Sequence, residues 1–124
     1  MSRSETLVLM LCLSASNAIV AVALGWTTSA AADGRLKLNT IAGIRTARTM
    51  RLPAGWRAGH AAAWPRVRML VATTIACTGM AWLLFLADQL IAAVVFVAAP
   101  SVLVVLTAWP IARIAGDAAD AANE

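Results

Sequence analysis

Residues 7–26, 69–87 and 90–111 contain no Asp, Glu, Lys or Arg. An α-helix rises 1.5 Å per residue, so about twenty residues cross the ~30 Å hydrocarbon core of a bilayer. Each stretch is long enough. Only Asp88 and Gln89 separate the second from the third. One continuous helix through both would bury the Asp88 carboxylate at mid-membrane, which is costly, so a tight helical hairpin is expected. The chain is therefore read as an all-α integral membrane helical bundle: three transmembrane helices, with a long basic interfacial loop between the first and second.

Composition agrees. Hydrophobic residues make up 61% of the 124 and charged residues 13%, where soluble domains carry about half and a quarter. So few charges cannot cover a soluble surface, and lipid must cover part of it. The length suits one membrane domain over residues 1–124. Within it, residues 27–68 form the loop and 112–124 a short tail.

The net charge of +4 hides an asymmetry. Residues 27–68 carry eight Lys/Arg and one Asp, while the remainder carries two Arg against five acids. Cations gathered between apolar spans indicate a membrane surface rather than nucleic acid. The positive-inside rule puts this loop in the cytoplasm, with the N-terminus and the Asp88 turn outside and the C-terminus inside. A cleaved signal peptide is the alternative for the first span, since Ala30-Ala31-Ala32 offers small residues. Against it, Glu5 offsets Arg3 and the apolar run is longer than a signal core.

Within the spans polar groups are few. Asn17 should face another helix, because a lipid-facing amide forfeits its hydrogen bonds. Thr74 and Thr78 lie one turn apart on one face, and Ala72 with Ala76 adds a small-xxx-small spacing suited to helix packing. Pro100 frees the Phe96 carbonyl, so a kink is expected in the third span. Trp26, Trp64, Trp82 and Trp109 suit the membrane boundaries. Cys12 and Cys77 read as small apolar residues. No span holds a deep ionisable group, which disfavours a proton relay or coupled transporter. No nucleophile–base set, metal cluster or phosphate loop is present, so neither an enzyme nor a cofactor or metal site is expected.

The loop opens at Thr27-Thr28-Ser29 and Asp33-Gly34, which read as a turn. A basic and apolar stretch follows, suited to the headgroup zone. Pro53 fits a first helical position, and a helix from Ala54 to about Ala63 would share one face among Trp56, His60 and Ala63. Pro65 should end or bend it. Gly43 permits a left-handed bend, onto which Trp56 and His60 could clasp. Arg45 and Thr46 could then bind a lipid phosphate or close the loop onto the helix ends.

Leu38-Asn39, Gly43-Ile44-Arg45-Thr46, Thr49-Met50, Trp56 and His60, followed by two spans, resemble the signature of the SdpI-type immunity protein family. The likeness covers about residues 38–111. It implies a non-enzymatic protein of the bacterial cytoplasmic (inner) membrane. The founding type gives immunity to a secreted toxic peptide and holds a transcriptional repressor at the membrane. It has further spans ahead of this module, where the present chain has one. The partners so implied are the lipid bilayer and a membrane-active peptide or cytosolic regulator. The loop residues that would serve them are Asn39, Gly43, Arg45, Thr46, Thr49, Trp56 and His60. The alternative is a small accessory subunit docking into a larger membrane complex, or a homo-oligomer, through Asn17, Thr74, Thr78 and Pro100.

Overall fold

The computed structural model describes residues 1–124. It is all-helical: α1 spans Arg3–Ala32, α2 Pro53–Leu86 and α3 Leu90–Asn123. All three are long and apolar enough to cross a membrane, which makes this a multi-pass membrane protein by length and composition.

The helices outrun the apolar stretches inside them. α1 continues through Thr27-Thr28-Ser29 to Ala32, so these residues form no turn. α2 begins at Pro53 and runs unbroken through Pro65, which neither ends it nor starts a separate helix. The expected loop over 27–68 thus shrinks to a connector of residues 33–52, with Arg57, Arg66 and Arg68 on α2. The expected tail over 112–124 is helical to Asn123, and α3 passes through Pro100 and Pro110. The contacts divide the chain into two compact units.

The first unit comprises Met1–Val22 and Leu70–Leu106. A capping box starts α1: the Glu5 amide donates to Ser2 Oγ at 3.2 Å and the Ser2 amide to Glu5 Oε2 at 2.7 Å. Met10, Ala81, Phe85, Ala93 and Val97 form the buried core. Ala81 and Ala93, without longer side chains, let backbones approach. Trp82 is more than a boundary anchor, since its Nε1 donates to Ser14 Oγ at 3.0 Å and its ring meets Phe85 edge-on. The α2–α3 turn closes on Asp88, a non-glycine residue with φ of 61°. There the Gln89 amide reaches the Leu84 carbonyl at 2.8 Å. Arg3 pairs with the Asp88 carboxylate and stands 4.7 Å over the Phe85 ring.

The second unit comprises Ala23–Met69 and Thr107–Glu124. Gly59 permits a close crossing of α2 and α3, because a Cβ there would come within 2.7 Å of the Ala115 carbonyl oxygen. Gly55 lies likewise against the Asn123 amide. Ala30, Ala31, Ala63, Val67, Ala115 and Ala119 fill this interior. Small side chains again set the helix spacing.

Candidate functional site

The connector must satisfy its own backbone, since it belongs to no helix. It does so around Gly43. The φ of +108° there is a conformation that side chains resist. A Cβ would also lie 2.7 Å from Trp56 Cη2 and 2.8 Å from His60 Nε2. Trp56 and His60, one turn apart on α2, are almost fully buried and stack with ring centroids 4.2 Å apart.

His60 sits in the charged part of α2, ahead of the uncharged stretch 69–87. Its Nε2 accepts the Ile44 amide at 2.8 Å, so the proton resides on Nδ1, which donates to the Trp56 carbonyl at 2.7 Å. Protonating Nε2 would set donor against donor. Burial pushes the His60 pKa below its ordinary value, partly opposed by the bond to Trp56. Trp56 Nε1 donates to the Leu36 carbonyl at 3.0 Å, which ties the start of the connector to the same helix turn.

The hydroxyls close the rest. Thr49 Oγ1 donates to the Ile44 carbonyl at 2.6 Å and accepts the Thr46 amide at 3.0 Å. The Thr49 amide returns to Thr46 Oγ1 at 3.1 Å. Asn39 makes an Asx turn: its Oδ1 accepts the Ile41 and Ala42 amides at 2.9 and 2.8 Å. Its Nδ2 donates to the Lys37 carbonyl. Arg45 donates to the Thr40 carbonyl. Asn39, Gly43, Arg45, Thr46, Thr49, Trp56 and His60 therefore all serve one cap, mostly by bonding its backbone. The outward surface falls to others. Ile41 is 86% exposed, and Lys37, Arg51 and Leu52 are exposed too.

The structure adds Arg48, which sequence reasoning passed over. Its Nε donates to Asp120 and its Nη2 to Asp117, both at 2.7 Å. Asp120 and then Asp117 hold the guanidinium pKa above its ordinary value. Asn123 Nδ2 donates to the Arg48 carbonyl at 3.3 Å, and Gly116 leaves room for the guanidinium. The available signal is the spacing Asp117, Asp120, Asn123, which aligns three polar side chains along α3.

In the first unit Asn17, Thr74, Thr78 and Pro100 come together. Asn17 Nδ2 donates to Thr78 Oγ1 at 3.1 Å and to the Val97 carbonyl at 3.0 Å. Thr74 bonds its own helix at the Leu70 carbonyl. Asn17, Thr74, Pro100 and Ser101 line a small pocket of about 140 Å³. The Ala72/Ala76 spacing meets no helix of this chain, as both residues are exposed and Gly79 has open space beside it. No group of three or more His, Cys, Asp or Glu could hold a metal.

No family model matches this chain, and neither does any curated protein or solved structure.

Proposed function

We propose that this chain is a non-enzymatic protein of the bacterial cytoplasmic membrane, of the SdpI immunity type. Its cap at residues 33–60 recognises a membrane-active peptide, and so protects the cell that carries it. In this reading the cap and C-terminus face the cytoplasm, because cations concentrate there.

The supporting observation is convergence. The motif residues between positions 39 and 60 serve one segment: Trp56 and His60 close over Gly43, Thr46 and Thr49 bond each other and the Ile44 carbonyl, and Asn39 and Arg45 bond the connector backbone beside them. Gly43, Trp56 and His60 act as positioning residues, and contact with the peptide falls to the outward Ile41, Arg51 and Leu52. Holding such groups in one geometry before binding saves ordering cost at the encounter.

The test is a survival assay. Cells with and without the chain are challenged with membrane-active peptides, alongside cells carrying Gly43→Val at equal membrane abundance. The reading expects protection by the native chain and its loss in the variant. Equal sensitivity of all three, with no regulator co-purifying, contradicts it.

A second reading, as an accessory subunit or homo-oligomer, is favoured by the open Ala72/Ala76/Gly79 face of α2. Purification in mild detergent decides it: a lone monomer is the contrary result.

A further inference from the structure

We infer that the second unit holds a binding site for one anionic phospholipid, in the groove between the end of α1, the start of the connector and the first turns of α2. This goes beyond the peptide reading and does not depend on it. The groove encloses about 490 Å³. Lys37 and Arg57 supply its charge, and Leu36, Leu38, Pro53 and Trp56 supply apolar wall.

No carboxylate lines the groove. The one nearby in sequence, Asp33, is taken by Arg35 at 2.9 Å. The cations are available. Arg57 spends only Nε, on the Ala32 carbonyl at 3.2 Å, and both terminal nitrogens remain free for a bidentate bond to phosphate. The Lys37 ammonium is exposed and makes no ion pair. Gly34 adopts the left-handed φ of +81° that turns the connector beside Arg57, and a Cβ there would make only ordinary contact, 3.5 Å from Nη1. The Trp56 indole nitrogen is committed to Leu36, so its ring offers only apolar surface.

This pairing of free cations with hydrocarbon wall matches a phosphate joined to a glycerol and acyl chain. A free anion would leave the wall unused. Depth agrees. The 30 residues of α1 extend about 45 Å, close to the ~40–45 Å of a bilayer with its headgroups. A groove at its end lies at the phosphate level.

The experiment uses the full chain, purified in mild detergent and mixed with equal phosphatidylglycerol and phosphatidylcholine, with retained lipid counted by native mass spectrometry. Lys37→Gln/Arg57→Gln is compared with Arg66→Gln/Arg68→Gln, which removes the same charge from exposed positions of α2 outside the groove. Circular dichroism and thermal unfolding check folding, and the single variant Lys37→Gln, at a side chain without partners, guards against misfolding of the double. The expected result is preferential retention of phosphatidylglycerol, cut about tenfold or more by the groove pair, since two cations near the anionic headgroup are lost together. The control pair should retain it, and Lys37→Gln alone should lose part. Equal retention of the two lipids, or equal loss in both double variants, overturns the site. Tight inorganic phosphate binding in phosphatidylcholine vesicles, without preference for phosphatidylglycerol, also overturns it.

Discussion

In Met1–Val22 with Leu70–Leu106, helices meet through alanines, one Asn17 amide, one Trp82–Ser14 bond and the Arg3–Asp88 pair. In Ala23–Met69 with Thr107–Glu124, a stretch of non-helical backbone is satisfied by side chains at nearly every turn. The contrast follows from what each backbone needs. A helix bonds itself, so polar side chains between helices are optional, and in lipid each contributes only ~1 kcal/mol or less. A connector has no such ladder. Its carbonyls and amides take partners from side chains, and each loss strands a buried group.

Substitutions should therefore cost far more in the second unit than in the first. The largest effect is expected from Trp56→Ala, which empties the centre of the cap. Truncating a buried Trp costs about 3–5 kcal/mol, and this one also strands the Leu36 carbonyl. Thermal unfolding in detergent, read beside protease sensitivity of residues 33–52, should show the cap opening before the helices melt. Next comes Gly43→Ala, where left-handed strain and contact with Trp56 and His60 together amount to about 2–4 kcal/mol. Equal stability of Gly43→Ala and the native chain would remove the reason for the glycine.

Mild acid should weaken the cap. With the folded His60 pKa below its unfolded value near 6.5, the unfolded chain binds the proton first. The stabilisation is whole above about pH 6.5 and fades as pH falls toward and through the folded value. Proteolysis at residues 33–52 should then rise between neutral and mildly acidic pH, and His60→Asn should flatten that rise. The smallest effect is expected from Asn17→Ala, ~1 kcal/mol or less. A loss in melting temperature as large as that of Trp56→Ala would erase the difference between the units.

Much of this is legible in the residues. Three uncharged stretches announce the long helices, and Asp88-Gln89 announces the turn between α2 and α3. What is hidden is where each helix stops. Thr27-Thr28-Ser29 resembles a turn, yet Thr27 Oγ1 bonds back to the Ala23 carbonyl at 2.6 Å and the helix continues. Pro65 removes one backbone bond, but Ala61, whose carbonyl it frees, is exposed, and the helix carries on to Leu86. The acids after 112 look like a solvated tail until Arg48 is brought between Asp117 and Asp120. That pairing spans some seventy positions, and nothing local encodes it. At the cap, Gly43, Trp56 and His60 stand out as residue types, but their shared use of the connector backbone emerges only in three dimensions.

Hydrogen exchange of the full chain in lipid nanodiscs tests the central claim most directly. The Ile44, Ala42 and Thr49 amides, all hydrogen-bonded in the cap, should be protected in the native protein. They should exchange freely in Gly43→Val while 7–22 and 90–106 stay protected. Exchange across 39–50 at the rate of an unstructured chain in the native protein would contradict the account.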